Sequence, residues 1–220
     1  RLLAPHDRFR FTESATISYF SFHKEVMYRD LGANTECDAR NLVQFAIMGA
    51  GFARSVLGVE RPTVGLLNIG AEEQKGHESV RAAAQILRES KFGFDFHGFV
   101  EGDDIGAGTV DVVVTDGFTG NVALKTLEGG LKTLFGALLT AFGSEPHYKE
   151  HADALLPALL PLHAQMSPDT YGGAVLLGVD GICIISHGSS GQTAIVNACK
   201  LAAELVRSDL VGAITAAFTA

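Results

Sequence analysis

The chain has 220 residues, a formal net charge of −8 at pH 7 and 47% hydrophobic residues. A chain of this length buries roughly 70 to 75% of its unfolded surface on folding, which excludes disorder as the main state. The acidic balance gives no broad positive surface for a phosphate backbone and so argues against nucleic-acid binding. Three separated cysteines argue against a disulfide framework or a structural zinc site. With no long apolar run and no visible leader, the sequence predicts a cytoplasmic protein.

The first part of the chain is the least regular. Residues 1–29 lack clean patterning, although the alternation over residues 6–12 is compatible with an edge strand, and a short strand is expected at residues 25–28. From residue 30 onward, short apolar runs alternate with longer stretches of helical period, which is typical of α/β proteins with a largely parallel sheet. Strands are predicted at residues 63–69, 94–100, 110–115 and 181–185, and helices at 41–57, 78–89, 121–142, 152–162, 190–206 and 209–218.

Residues 143–168 differ from the rest of the chain. The sequence Gly143-Ser-Glu-Pro146 is expected to break a helix, and Pro157 and Pro161 are expected to interrupt an Ala/Leu-rich stretch. The pattern predicts a protruding helical hairpin.

Polar loops rich in glycine follow the predicted strands. In an open α/β sheet, ligands bind outside the carboxyl ends of the strands. Such loops lie at residues 30–34, 68–78, 115–121 and 186–191. Glycines let backbone N–H groups approach an anion, and a helix N-terminus adds partial positive charge, so these loops favour phosphate. Each loop alone is equally well explained by turns and helix caps, but four loops converging at one edge favour an anion site.

Three side chains in these loops are candidates for catalysis. Lys75 offers a point charge for phosphate or for a developing oxyanion, with a solvated loop lysine as the alternative. Asn121 can donate its amide to a carbonyl oxygen, with a helix cap that needs no catalytic function as the alternative. His187 can position phosphate or protonate a thiolate, although a single histidine after a strand is more often structural.

The candidates for binding the substrate or phosphate lie in the same loops. They are Asn34, Gly70, Gly76, Asp116, Gly117, Gly120, Gly188, Ser189 and Ser190. The sequence has no GxSxG, GxxxxGK[ST], HExxH or GxGxxG motif. His147 and His151 have the i,i+4 spacing of metal ligands, but without a third ligand a solvated pair is the better interpretation, and no metal is expected.

Several blocks in these loops carry a resemblance to a known family. The blocks are residues 30–34 with 41–49, 64–70 with 75–76, 98–102 with 104–105, 116–121 with 124–125, 171–174 with 176–178, and 187–190. Over about residues 30–206, the sequence resembles the PlsX-type bacterial phosphate acyltransferases, the acyl-acyl carrier protein:phosphate transacylases.

The resemblance implies a Rossmann-like three-layer α/β/α sandwich with a mostly parallel sheet and a protruding helical hairpin at about residues 122–168. It implies transfer of a long-chain acyl group from acylated acyl carrier protein to inorganic phosphate, giving acyl phosphate for phospholipid synthesis, without a cofactor or metal. In the family, the residues that match Lys75 and Asn121 are associated with catalysis. A homodimer, contact with the inner face of the cell membrane through the hairpin, and a downstream glycerol-3-phosphate acyltransferase are the further implied partners.

The sequence also departs from the family pattern. The family's Asp-x-Met-Gly-Gly-Asp and Gly-Asn-Thr-Gly blocks are absent, and Ile185-Ser186 stands where the family often has a Lys before His-Gly. We therefore expect residues 1–29 to be a poorly matching segment, and residues 30–220 to form the family domain without its N-terminal part. Two alternatives remain: a short-chain phosphotransacetylase that uses acyl-coenzyme A, and a non-catalytic remnant that dimerises or docks on membranes through its hairpin.

Overall fold

A computed structural model describes residues 15–21, 25–29, 37–165, 170, 172–186, 188 and 190–219 of the chain. The strands within these ranges are β1 Ala15–Ser21, β2 Glu25–Arg29, β3 Thr63–Leu67, β4 Asp95–Val100, β5 Val112–Val114, β6 Ala174–Leu177 and β7 Cys183–Ile185. The helices are α1 Ala39–Leu57, α2 Glu78–Glu89, α3 Gly102–Ala107, α4 Gly117–Phe142, α5 Pro146–Gln165, α6 Gln192–Arg207 and α7 Leu210–Thr219.

The described strands form one sheet in the order β4-β3-β5-β2-β1-β6-β7. The four strands from β4 to β2 pair in parallel. β1 is antiparallel to both β2 and β6, and β7 is antiparallel to β6. Within the described part of the sheet, only β1 and β7 therefore run against the other strands, and the predicted mostly parallel α/β sheet is confirmed.

Helices cover both faces of the sheet. Alternate strand residues divide between the faces: Val112 and Val114 join the core under α1, α2 and α7, whereas Val113 faces the other side. On that second face, the side chains of Leu124 and Leu127 of α4 pack on the smaller core beside α3. The result is the three-layer α/β/α sandwich that the family resemblance implies.

The central helix of the sandwich is α1. Asp38 caps it: the Asn41 amide nitrogen donates to Asp38 Oδ1 at 2.9 Å, and the Asp38 amide donates to Asn41 Oδ1 at 2.8 Å. The helix ends at Gly58, whose φ of 67° lies in the left-handed region that favours glycine. The sequence predicts one apolar face, but every residue from 41 to 53 is buried. α1 contacts the sheet on one side and α2 and α7 on other sides. Its Gly and Ala positions outside the predicted apolar face are therefore core positions too.

The hairpin of α4 and α5 is largely exposed. Gly117 and Gly120 are the buried residues of α4, and Ala152 is buried on α5. The helix predicted at residues 152–162 is confirmed as part of α5, and it continues through Pro157 and Pro161, which were expected to interrupt the Ala/Leu-rich stretch. Both prolines are exposed, so water can reach the carbonyl groups that lose a helical donor. None of the helices in the described ranges has both the length and the apolarity that a membrane crossing requires.

Some elements differ from the prediction. The strand at residues 25–28 is confirmed as β2, but β1, β6 and α3 were not predicted, and the possible strand over residues 6–12 lies outside the described residues. Helix α4 begins before the predicted residue 121, because Asp116 caps it four residues earlier than the apolar pattern indicates. β1 and β2 bring part of residues 1–29 into the sheet, and the domain division at residue 30 stays a prediction.

A buried carboxylate joins the starts of β3 and β5, and we predict that its loss destabilises the sheet. Asp111 is 3% exposed, and its Oδ2 accepts from the Thr63 amide at 2.7 Å and from the Thr63 hydroxyl at 2.6 Å. Asp111→Ala should lower the free energy of unfolding by about 1–3 kcal/mol, because both donors lose their acceptor. Urea denaturation measures the change. Asp153→Ala on exposed α5 is the control and should stay within about 0.5 kcal/mol of the unaltered chain.

Candidate functional site

The candidate site lies at the edge of the sheet where β2, β3, β4 and β5 have their carboxyl ends, which we call the carboxyl edge. β3 is the neighbour of both β4 and β5 in the sheet. The loop after β3, residues 68–76, which we call the Lys75 loop, therefore emerges between Glu101 after β4 and the start of α4 after β5. This is the position at which parallel α/β sheets bind ligands.

Asn68 closes the Lys75 loop. Its Nδ2 donates to the carbonyl oxygen of Gly70 at 3.1 Å and to that of Lys75 at 3.1 Å. The backbone amide of Asn68 donates to the carbonyl oxygen of Val100 on β4 at 2.8 Å, which anchors the loop to the sheet. Gly76 has a φ of 86°, and a Cβ there would collide with Asn68 Oδ1. The backbone of Lys75 is thus fixed by one side chain that spans the loop.

The Lys75 side chain is paired within its own loop. Its Nζ lies 2.8 Å from Oε2 of Glu72, and both side chains are about half exposed, at 45% and 53%. The hydrogen bond and charge of Glu72 raise the pKa of Lys75, and the charge of Glu101 adds a smaller effect in the same direction. The hydrogen bond from Lys75 in turn lowers the pKa of Glu72. The lysine is therefore a fully charged ammonium whose charge is balanced by a carboxylate in the resting structure.

Two arginines of α2 hold the outer side of the loop. Arg81 Nη1 donates to the carbonyl oxygen of Gln74 at 3.0 Å. Arg88 Nη1 lies 3.1 Å from Oε1 of Glu73. Adjacent glutamates of the loop therefore have different partners: Glu72 faces Lys75, and Glu73 faces α2.

The start of α4 forms the neighbouring part of the edge. Asp116 caps the helix: its carboxylate accepts from the Thr119 amide at 2.9 Å and from the Thr119 hydroxyl at 2.7 Å. Gly117 and Gly120 are buried in this first turn, and Asn121 is half-buried just beyond it. Because Asp116 is anionic and already occupied as a cap, its predicted contact with phosphate is the least favoured of the contacts expected here.

Apolar side chains are exposed at the same edge. Ile69 of the Lys75 loop is 78% exposed, and Phe118 and Val122, one turn apart on α4, are 66% and 51% exposed. The carboxyl edge thus combines a lysine, a helix start and apolar surface.

The fourth predicted loop does not converge with the others. β7 runs antiparallel to β6, so its carboxyl end points to the opposite edge of the sheet. There, the hydroxyl of Ser186 donates to the carbonyl oxygen of Gly172 at 2.8 Å, next to the start of β6. The expectation of four loops at one edge was wrong because β6 was not predicted. Only residues 178–182 join β6 to β7, too few for the crossover that parallel strands need.

The predicted residues are therefore distributed unevenly. Gly70, Lys75, Gly76, the Asp116–Gly120 turn and Asn121 lie along the carboxyl edge, whereas Gly188 and Ser190 follow β7. Asn34, His187 and Ser189 lie outside the described residues. In the part of the chain that the structure describes, no three His, Cys, Asp or Glu side chains cluster in a way that would hold a metal ion. Sequence reasoning missed Asn68, Glu72 and Glu101, although an asparagine directly after a strand is a recognisable turn signal.

The left-handed glycine of the Lys75 loop provides one test of this geometry. Gly76→Ala should lower the free energy of unfolding by about 1–3 kcal/mol, because alanine is strained at this φ and its Cβ meets Asn68. Chemical denaturation measures the loss. Gly58→Ala is the matched control, because Gly58 also has a left-handed φ, of 67°, and a Cβ there meets nothing within 4 Å. Equal effects at both positions would contradict the role given to Asn68.

The ion pair provides a second test. Lys75→Met should raise the pKa of Glu72 toward its ordinary value, because the hydrogen bond and positive charge that lower it are removed. Since the pKa of Glu72 is lowered on folding, the pair stabilises the fold above the carboxyl's unfolded pKa, and this contribution is lost as pH falls through the folded pKa. Carbon-13 NMR titration of the glutamate carboxyls measures the shift. Lys91→Met, at an exposed lysine, should leave the titration of Glu72 unchanged.

Fold and site together define an α/β protein of Rossmann-like architecture, with a lysine-bearing loop beside a helix start at its carboxyl edge. Residues 17–212 match the model of a family described as "Fatty acid synthesis protein". The chain belongs to this family, and the family predicted from the sequence blocks is confirmed.

Over the aligned regions, similar curated proteins are about half identical to this chain. It is 52% identical to the phosphate acyltransferase of Caulobacter vibrioides over 82% of this chain and 50% of the relative. It is 50% identical to the phosphate acyltransferase of Rhodospirillum centenum over 87% of this chain and 54% of the relative. The chain thus spans about half the length of these relatives. Among solved structures, the EutD phosphotransacetylase from Staphylococcus aureus aligns over 54% of this chain and 43% of its own at a TM-score of 0.41 and 18% identity, a likeness too weak to bear on function.

Proposed function

We propose that this chain takes part in the transfer of a long-chain acyl group from acylated acyl carrier protein to inorganic phosphate, which forms acyl phosphate for phospholipid synthesis. The observation that carries the proposal is the family match over residues 17–212, together with relatives named phosphate acyltransferase. The lysine-bearing loop beside the start of α4 supports it, because both features favour a bound anion.

The proposed reaction is a direct displacement. An oxygen of hydrogen phosphate attacks the thioester carbonyl carbon, a C–O bond forms, and the C–S bond breaks. The proton that hydrogen phosphate carried ends on the departing thiol. Lys75 would hold phosphate and offset the negative charge of the developing oxyanion, and Asn121 would orient the carbonyl group by its amide. The displacement needs no activated serine or cysteine.

The assignments of Asn34, His187, Gly188, Ser189 and Ser190 rest on the sequence alone. The direction of β7 gives Gly188 and Ser190, which follow it, no support as partners of Lys75. The displacement is therefore assigned to groups of the carboxyl edge, and assistance of phosphate or the leaving thiol by His187 stays a prediction.

The exposed apolar side chains at the edge support a lipid-like acyl donor. Ile69, Phe118 and Val122 leave apolar surface open beside the lysine, and an alkyl chain would remove that surface from water. An acyl thioester combines this apolar part with a carbonyl group that phosphate can attack.

The hairpin supports the expected partners. Its exposed leucines give α4 and α5 apolar surface of the kind that a second copy or a membrane surface covers; they include Leu134, Leu138, Leu139, Leu155 and Leu160. We include in the proposal a homodimer, contact with the inner face of the cell membrane, and delivery of the product to a glycerol-3-phosphate acyltransferase.

The test is release of thiol from a palmitoyl-carrier protein thioester, followed with and without phosphate. The purified chain should release thiol only when phosphate is present. Lys75→Ala should lower this turnover by about 100-fold or more, since removing one such stabilising group typically costs that much. Circular dichroism checks that the variant folds, and Lys91→Ala at an exposed lysine should keep full turnover.

The same assay separates the alternatives. Faster turnover with acetyl-coenzyme A than with the carrier-protein thioester would replace the long-chain assignment by a short-chain phosphotransacetylase. A folded chain that releases no thiol but floats with liposomes would instead indicate a non-catalytic remnant. Undiminished turnover in Lys75→Ala would overturn the role of the lysine.

A further inference from the structure

We propose that Glu72 is an internal competitor of phosphate, which occupies Lys75 in the resting site and is replaced by phosphate when the anion binds. The inference rests on the proposed function, because it takes phosphate to be the ligand of Lys75. It assigns to Glu72 a role in setting affinity for phosphate, as a positioning residue that acts through Lys75.

The first observation is the direct pairing of the two side chains. Glu72 Oε2 lies 2.8 Å from Lys75 Nζ, the distance of a charge-assisted hydrogen bond. A phosphate oxygen that binds the same ammonium competes for its three donors and would lie beside a carboxylate of like charge. Phosphate and Glu72 therefore cannot both make their best contact with Lys75.

The second observation is that the loop lets the side chains exchange without moving its backbone. Asn68 fixes the carbonyl groups of Gly70 and Lys75, and Arg81 fixes that of Gln74. The side chains of Glu72 and Lys75 are about half exposed, so both can rotate into solvent. Opening the pair thus requires only side-chain rotation within a held loop.

The third observation concerns the neighbouring glutamate. Glu73 Oε1 lies 3.1 Å from Arg88 Nη1, on the α2 side of the loop. Glu72 thus balances the charge of Lys75, whereas Glu73 pairs with Arg88. Glu73 therefore provides a matched control for a change of charge at Glu72. Changes of equal charge at the two positions distinguish direct competition from a general reduction of negative potential.

Because an exposed ion pair is weak, the competition is modest. Glu72→Gln should tighten the binding of inorganic phosphate by about two- to fivefold, the range that corresponds to an exposed pair. Glu73→Gln, with the same change in net charge, should alter it by much less. Phosphorus-31 NMR titration of the intact chain measures the dissociation constant of inorganic phosphate without requiring turnover, and thiol release gives the phosphate KM. Glu72→Gln should lower this KM and leave kcat unchanged.

The outcomes separate this inference from the function on which it rests. Tighter binding in Glu72→Gln alone, lost again in the Glu72→Gln/Lys75→Met double variant, supports competition at Lys75. Binding that depends on Lys75 but is equal in Glu72→Gln and Glu73→Gln overturns the inference and leaves the proposed function standing. If binding is the same without Lys75, the role of the lysine and this inference both fail. If neither the unaltered chain nor any variant binds phosphate, the proposed function fails and the inference fails with it.

Discussion

The burial of helix α1 on every side is the constraint on which the arrangement of the site depends. From residue 41 to residue 53 the helix has no solvent-facing side, because the sheet, α2 and α7 surround it. Small residues such as Gly51, whose added Cβ would lie 3.3 Å from Ile214, allow α7 to approach closely. With α1 seated against β2, β3 and β5, the ends of these strands are held in register, and the loops that follow them emerge side by side.

Local sequence patterns predicted the elements whose identity depends on local chemistry. The β-branched run around Val112–Val114 and the amphipathic period of Glu78–Glu89 are visible in any short window of sequence. The direction of β7 is different, because it is decided by pairing with β6, a four-residue strand whose apolar run is too short to stand out. A strand that is followed by Gly and Ser and then by a helix has the sequence pattern of a parallel strand–helix unit. Only the strand that pairs with it shows its direction.

The features of the site likewise divide into those that local sequence predicts and those that only the folded chain determines. Lys75 and Gly76 were predictable because a glycine-containing loop after a strand restricts where charged side chains can lie. The hydrogen bonds by which Asn68 closes the loop were not predictable. The side-chain amide of Asn68 reaches the carbonyl oxygen of Lys75, seven residues later, and nothing in the intervening sequence specifies that bond. The choice of Glu72 over Glu73 as the partner of Lys75 depends on the position of Arg88 on α2, which only the folded chain fixes.

Under the proposed function, the carboxyl edge would bind an anion by difference and not by accumulated positive charge. Lys75 faces Glu72 and feels Glu101, and the start of α4 already holds the carboxylate of Asp116. An anion would bind Lys75 in competition with Glu72, so its net binding energy would be the excess of its own contacts over those of the carboxylate. Such a site favours a ligand that makes apolar contacts in addition to its charged ones. The exposed apolar surface of Ile69 and Phe118 would offer these to an acyl chain and not to phosphate alone, so the proposed function predicts that the edge is stabilised best when both proposed substrates are bound together.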